Sequence, residues 1–299
     1  QGRYRLYSKT LTYQSPEQLR EAIKKDDLAS QPQVLIQCYD ASYDRTRQGL
    51  ITAQLQEQLP QAHILGATST AAIAHQEIKR QETIISFSVF ERSGIYSGRL
   101  PLERETQHAS DLARQTEELR EMVRTHPSKA LILLGANAWQ EARTLLGDVG
   151  ICNDTECVVA GGMAANEIIP EQSGWIFDEE GSLDRGLIYA LLEGEALQAE
   201  TGYSFPYRRF GPSFTITGAD RNRITGIDHR SPQKFYSSYL GKEALEDLFG
   251  TSTRFPLVLS RNGRKVALLI TNRMERGEVE VPVDIYPGEK VRFGYAHNA

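Results

Sequence analysis

A strand–helix–strand pattern occurs twice in the N-terminal two thirds of this sequence of 299 residues. In the first copy VLIQCYD (34–40) is followed by a helical stretch and then by HILGATSTAAI (63–73). In the second copy LILLGAN (131–137) is followed by a helical stretch and then by CVVAGGMAANEI (157–168). Each copy has a polar residue just after its first strand and a turn of small residues after its second.

The spacing inside the two copies is nearly the same. Val34 and Gly66 lie 32 positions apart in the first copy, and Leu131 and Gly162 lie 31 apart in the second. Unrelated α/β units often share strand order, but they less often share spacing and turn chemistry as well. We therefore predict an internal duplication.

The C-terminal third has a different pattern. Two short β-runs at 213–217 and 223–227 precede Ser231-Pro232, a favoured pair for the N-cap and first position of a helix. A second helix is predicted over KEALEDLF (242–249), and the alternation in EVEVPVDI (278–285) predicts a strand near an edge, because of its proline.

These patterns predict a mixed α/β fold in two parts. The N-terminal part is expected over residues 10–200, with duplicated α/β units at about 33–100 and 130–195. An α+β C-terminal part is expected over residues 201–299. The length is sufficient for two moderate hydrophobic cores.

Composition excludes several classes of protein. The net charge of −5 argues against a nucleic-acid binder. No apolar run approaches the ~20 residues that cross a membrane, and the first residues lack the apolar core of a signal peptide. Three cysteines do not indicate a disulfide framework, so we expect a cytoplasmic protein. The cysteines and histidines form no recognisable metal motif, and we predict neither a metal site nor a cofactor.

The two turns of small residues are the first candidate for a ligand site. Such turns let backbone N–H groups approach a ligand, and hydroxyls add further donors. The candidate residues are Thr68, Ser69 and Thr70 in the first turn and Gly161, Gly162 and Asn166 in the second. Since the turns belong to duplicated units, we expect them to face each other across a cleft. The alternative is close packing of helix on strand without a ligand.

The ends of the preceding strands give further candidates. Cys38 and Asp40 end the first strand of the first copy, and Asn137 is the counterpart of Asp40. Asp40 is a candidate for holding a cationic group, and Asn137 offers both a donor and an acceptor. Arg185 is a candidate clamp for a carboxylate. Helix capping by Asp40 and Asn137, and an ordinary surface position for Arg185, are the alternatives.

Catalytic motifs are not apparent. A serine hydrolase of the elbow type needs GxSxG, and Ser69 in GATSTA lacks the following glycine. Cys38 has only His63 near it in sequence as a base, and His63 is expected on a strand. We therefore predict that the protein is not an enzyme.

Four stretches resemble a known family when taken in order. LPQAHILGATSTAAI resembles its strand followed by a Gly-Cys-Ser-Thr-Ala-Gly-Glu-Ile-like turn, and VVAGGMAANE resembles its Gly-Gly-x-Ala-x-Asp element. RRFGPSFTITGADRNRITGIDHRSPQKFYSSYLG looks like the opening of its C-terminal half, and YPGEKVRFGYAHN is similar to its closing strand. Together they resemble the FIST sensory domain, with its N- and C-terminal parts, over about residues 10–299.

The resemblance implies a function in intracellular signalling. FIST domains are sensory modules that act upstream of histidine kinases, chemotaxis transducers or cyclic-di-GMP enzymes, and they are thought to bind small ligands such as amino acids. An amino acid would place its carboxylate at Arg185 or the turn amides and its ammonium at Asp40. The expected partners are therefore a small ligand and a signalling output domain outside this sequence. Ala67, Ala72 and Asn166 depart from the family pattern and make the expected pocket less polar.

Two other functions stay open at this point. Some family members are associated with haem and nitric oxide, which makes a haem-binding nitric-oxide sensor one alternative. The sequence has no CxxCH motif and favours no particular histidine as an axial ligand. The other alternative is a domain without a ligand that serves as a homodimerisation or docking platform.

Overall fold

The computed structural model of the chain divides into two compact units, residues 1–201 and 202–299. It describes residues 6–102, 108–125, 128–138, 142, 157–165, 174–202, 205–261 and 263–296. Helices and strands occur in both units, and the mixed α/β class predicted from the sequence is confirmed. No helix in these ranges is long and apolar enough to cross a membrane.

The N-terminal unit contains twelve described strands and three described α-helices. The strands are β1 (Leu6–Thr12), β2 (Gln33–Asp40), β3 (His63–Thr68), β4 (Ala72–Ala74), β5 (Glu77–Lys79), β6 (Thr83–Phe90), β7 (Gly94–Pro101), β8 (Ser128–Ala136), β9 (Val158–Met163), β10 (Ile176–Asp178), β11 (Gly181–Leu183) and β12 (Gly186–Glu193). The helices are α1 (Pro16–Lys25), α2 (Arg45–Gln58) and α3 (His108–Thr125), with a 3₁₀ turn at Leu28–Ser30.

Two sheets in this unit repeat the same strand order. The first sheet runs β1-β6-β2-β3-β10-β11, and the second runs β7-β12-β8-β9. β2 and β3 are parallel, as are β8 and β9, whereas β6 and β12 are antiparallel to their neighbours. The first four strands of one sheet thus have counterparts in the other, in the same order and direction. β4 and β5 form a separate hairpin.

The two sheets share a core, and helices cover the opposite face of each. Side chains alternate along a strand, so neighbouring residues contribute to different layers. Leu35 of β2 and Leu134 of β8 lie in the core between the sheets. Val34 packs with Ile51 of α2, and Leu131 packs with α3. This layering explains the apolar runs at 34–36 in β2 and 130–134 in β8, since both faces of these strands are covered.

Local sequence signals fix the helix boundaries here. The Ser15 side chain accepts a hydrogen bond from the Gln18 backbone N–H at 3.2 Å, with proline in the first turn of α1. The Asp44 side chain accepts one from the Arg47 N–H at 3.0 Å and so caps α2. α2 ends at Gln58, just before Pro60, which cannot donate an intrahelical hydrogen bond.

The strand register corrects the sequence alignment of the two copies by one residue. Parallel pairing places Cys38 opposite Gly66 and Gly135 opposite Met163. Gly135 is the counterpart of Cys38, so Met163 rather than Gly162 is the counterpart of Gly66. The spacing in the second copy is then also 32 positions.

Close approach explains two of the glycines in these strands. A Cβ at Gly66 would overlap the ring of Phe177, which lies opposite Gly66 in the neighbouring strand β10. A Cβ at Gly161 would overlap the carbonyl oxygen of Leu133 in the neighbouring strand β8. Both glycines are therefore required by packing between neighbouring strands, which differs from the helix-on-strand packing named as the alternative in the sequence analysis.

The C-terminal unit forms one seven-stranded sheet. Its strands are β13 (Tyr207–Asp220), β14 (Arg223–Ile227), β15 (Leu257–Arg261), β16 (Arg264–Leu268), β17 (Asn272–Arg273), β18 (Val279–Glu280) and β19 (Lys290–Ala296), in the order β16-β15-β19-β13-β14-β18-β17. The helices are α4 (Pro232–Leu240) and α5 (Leu248–Arg254), with 3₁₀ turns at Lys242–Leu245 and Glu275–Gly277. Phe214, Phe235 and Phe293 lie at the centre of its core.

Two predictions for this unit were wrong in their extent. The expected helix over 242–249 is split into a 3₁₀ turn and α5, because the Asp247 side chain accepts from the Gly250 N–H at 2.8 Å and starts a new helix. The expected strand over 278–285 is limited to Val279–Glu280, and Pro282 has no N–H with which to extend the ladder.

Candidate functional site

A pocket of about 330 Å³ lies between the two sheets of the N-terminal unit, a size within the range of small-molecule sites. β2, β3, β8 and β9 and the residue after β3 supply its lining. The described lining residues are Gln37, Tyr39, Ala67, Thr68, Ser69, Ile132, Leu134, Ala160, Gly161, Gly162 and Met163. Four residues predicted from the sequence are among them, namely Thr68, Ser69, Gly161 and Gly162.

The two walls of the pocket differ in polarity. The wall from β2 carries Gln37 and Tyr39, and the Gln37 Nε2 donates a hydrogen bond to the Tyr39 hydroxyl at 3.0 Å. Leu134 and Ala136 are the counterparts of these two residues in β8, and Ile132 adds to that aliphatic wall. The equivalent strands of the two sheets thus form a pocket with one polar and one apolar side.

Tyr39 keeps its proton at physiological pH. Burial raises the pKa of Tyr39 above its ordinary value of 10.0; the hydrogen bond from Gln37 opposes this rise, and the neighbouring Cys38 adds to it. The phenol is therefore available as a neutral donor while its oxygen accepts from Gln37.

Thr68 joins the two predicted turns directly. Its carbonyl oxygen accepts a hydrogen bond from the Ala165 N–H at 3.1 Å, which ties the end of β3 to the segment after β9. Its hydroxyl accepts from the Trp175 N–H at 3.0 Å and donates to the Trp175 carbonyl at 3.3 Å. The Thr68 side chain is therefore engaged in holding these segments together.

Ser69 directly follows β3 in the first turn, and a backbone hydrogen bond holds it there. Its N–H donates to the Asp40 carbonyl at 3.0 Å. Its hydroxyl oxygen is buried and has no hydrogen-bond partner among the described residues. A buried hydroxyl without a partner costs about 1–3 kcal/mol, so Ser69 gains from any ligand group that it can reach.

Asp40 lies outside the pocket and anchors the loop between β2 and α2. Its Oδ1 accepts from the Ser42 N–H at 3.1 Å, the Ser42 hydroxyl at 2.6 Å and the Thr83 hydroxyl at 2.7 Å. Its Oδ2 is buried without a hydrogen-bond partner in the described part of the chain. The side chain thus has a local structural role on the opposite side of β2 from Gln37 and Tyr39.

Cys38 also points away from the pocket, into the core beneath the helices. Burial raises the pKa of the Cys38 thiol far above its ordinary value, and the neighbouring Asp40 raises it further. The thiol is therefore protonated and is not an activated nucleophile.

Asn137, just after β8, and Arg185, just before β12, hold these two chain segments together through hydrogen bonds. The Asn137 Nδ2 donates to the Asp184 carbonyl at 2.7 Å, and the Arg185 Nε donates to the Asn137 carbonyl at 3.2 Å. Asn137 has a positive φ of 47°, a conformation that asparagine tolerates well. Neither residue lines the pocket. Thr70 is exposed beyond the pocket, and Asn166 lies outside the described residues.

Sequence reasoning missed six of the residues that line the pocket, namely Gln37, Tyr39, Ile132, Leu134, Ala160 and Met163. The available signal was the alternation of side chains between the two faces of a strand. Gln37 and Tyr39 alternate with the apolar residues of β2 that face α2, so they must lie on the other face. Polar residues on a strand that is covered on both faces indicate a cavity or a partner there.

The described residues offer no obvious holder for a metal ion or haem. No group of three or more potential metal ligands occurs in the described ranges. None of the described lining residues is a histidine, although Tyr39 is of a type that ligates haem iron in other proteins.

The fold and pocket define an α/β domain with two sheets of matching strand order and a ligand-sized cavity in its N-terminal unit. The FIST N domain family model matches residues 34–230, more than half of the chain. The chain therefore belongs to the FIST family, which comprises signal-transduction sensor domains and is not a known enzyme family. None of the curated proteins compared with the chain matches it.

Proposed function

We propose that this domain senses a small molecule that binds in the pocket between the two sheets. One observation carries the proposal: equivalent strands of both sheets contribute to a single cavity. A ligand in this cavity contacts both sheets at once. It therefore binds more tightly to the arrangement of the two sheets that makes more contacts with it. Such a difference in affinity between two arrangements is what a sensor needs to shift a population.

The output of the sensor lies with a signalling partner. Membership of the FIST family supports a histidine kinase or a cyclic-di-GMP enzyme as that partner. Cys38 and Cys157 are buried thiols, which fits a reducing compartment and supports a cytoplasmic location. We infer that the ligand signal passes through the sheets of the N-terminal unit to that partner.

An amino acid is the ligand class that the family resemblance suggested. Asp40 and Arg185, the expected partners for its two charges, lie outside the pocket. An amino acid in this pocket would rely on hydroxyls and backbone amides for both charges. Amino acids therefore belong in a ligand screen beside their uncharged derivatives.

The screen measures the melting temperature of the whole chain against a panel of metabolites. A specific ligand at about 100 times its Kd stabilises the folded state by about 2.7 kcal/mol, and the shift grows with ligand concentration. If no compound in a broad panel raises the melting temperature, the ligand-binding function is wrong, and a docking platform becomes the better hypothesis.

A variant that fills the pocket tests whether binding occurs there. Ala160 lines the pocket from an exposed position on β9, so Ala160→Trp places a bulky ring in the cavity at little expected cost to folding. We expect its affinity for a hit compound to fall at least tenfold by calorimetry. Ala296→Trp, an exposed alanine in β19 of the other unit, is the control and should bind as the original protein does. Equal binding by both variants would place the ligand elsewhere.

A further inference from the structure

The apolar wall of the pocket restricts the charge of its ligand. Ile132 and Leu134 from β8 and Ala160 from β9 present hydrocarbon surface to the cavity. A carboxylate or ammonium group pressed against such surface loses its hydration and gains no partner in return. This wall therefore favours an uncharged ligand body.

The opposite wall sets the polarity of one end of the ligand. The Tyr39 oxygen accepts from Gln37, and a phenol has a single proton, so the proton of Tyr39 is the group left to donate. That donor lies on the β2 wall, across the cavity from Ile132 and Leu134. The buried hydroxyl of Ser69 is a second group on the same side.

We propose that the pocket binds an uncharged, mainly apolar small molecule that carries a carbonyl-type acceptor. The acceptor receives the hydrogen bond of Tyr39, and the apolar body rests against β8 and β9. This inference rests on the ligand-binding function proposed above and specifies its ligand class. The proposed ligand class differs from the amino acid that the family resemblance suggested, because a zwitterionic amino acid would bring two charges into this pocket.

Matched pairs of compounds that differ only in charge test the proposal. The probes are indole-3-acetamide against indole-3-acetate, and 3-phenylpropionamide against 3-phenylpropionate, with free phenylalanine as the zwitterion. Each is titrated into the whole chain by calorimetry and by thermal shift. We expect each amide to bind at least tenfold more tightly than its carboxylate, and phenylalanine to bind more weakly than 3-phenylpropionamide.

A tyrosine variant tests the polar end of the pocket. Tyr39→Phe removes the donor and keeps the ring, so we expect the affinity for the amides to fall about two- to tenfold, the range for one neutral hydrogen bond. Tyr286→Phe, at an exposed tyrosine of the C-terminal unit, is the control and should leave the affinity unchanged. Equal affinities for Tyr39→Phe and Tyr286→Phe would overturn the assignment of Tyr39.

The outcomes separate this inference from the function beneath it. Tighter binding of the carboxylates or of phenylalanine, lost in Ala160→Trp, would overturn the uncharged ligand while supporting the sensor pocket. If neither the probe compounds nor any compound of the broad metabolite panel raises the melting temperature, both the inference and the sensor function are overturned. If the amides bind Ala160→Trp as tightly as the original protein, they bind outside this pocket, and the inference is overturned.

Discussion

His63 shows how a single residue links the two sheets of the N-terminal unit. It begins β3, and its Nδ1 lies 2.7 Å from the Ser97 hydroxyl of β7 in the other sheet. The Ser97 hydroxyl donates to the Glu179 Oε1 at 3.2 Å, and the Glu179 Oε2 accepts from the Ile64 N–H at 3.2 Å. This chain of contacts connects β3, β7 and the β10–β11 turn.

The protonation of His63 should make stability depend on pH. Burial lowers the pKa of His63, and the Glu179 carboxylate offsets only part of this. The folded protein then binds a proton at His63 less readily than the unfolded chain, whose value is about 6.5. Stability from this site is complete above about pH 6.5 and is lost as the pH falls toward the folded-state pKa.

Unfolding by urea at pH 7.5 and 5.5 measures this effect. His63→Gln cannot be protonated, so its free energy of unfolding should fall less between the two values than that of the original chain. His75→Gln, at an exposed histidine in the β4–β5 turn, should keep the original dependence. An unchanged pH dependence in His63→Gln would show that His63 does not control it.

At the scale of elements, the sequence predicted buried strands well and short polar elements poorly. β2 and β8 were predictable because burial on both faces demands continuous apolar residues. The division at 242–254 was not, because residues 242–246 are all good helix formers and the choice depends on one competing cap at Asp247. The pocket was predicted from the turns, but its polar wall from Gln37 and Tyr39 follows only from strand parity.

The N-cap of α2 gives a prediction at this scale. Asp44 accepts from the Arg47 N–H, and α2 packs Ile51 and Leu55 into the core, so fraying of its first turn weakens that packing. We expect Asp44→Ala to lower the free energy of unfolding by about 1 kcal/mol. Glu57→Ala, at an exposed acidic residue late in the same helix, should cost far less when measured by urea unfolding. Similar costs would mean that the cap is not important.

At the scale of the whole molecule, the two units differ in charge as well as in fold. Residues 1–201 contain 19 Lys and Arg against 29 Asp and Glu, whereas residues 202–299 contain 15 against 10. Each unit has its own hydrophobic core. The matching strand order of the two N-terminal sheets is what the predicted duplication requires, although the duplication itself stays a prediction.

Separate cores predict separate responses to core mutations. Leu131 is fully buried in the N-terminal unit and Leu259 is buried in the C-terminal unit, so Leu131→Ala and Leu259→Ala should each cost about 2–5 kcal/mol. By calorimetry, each variant should lower a different thermal transition. A ligand of the pocket should raise the transition that Leu131→Ala lowers and leave the other in place, because the described pocket residues all belong to the N-terminal unit. If both variants lower one common transition equally, the units unfold together, and ligand binding then stabilises the chain as a whole.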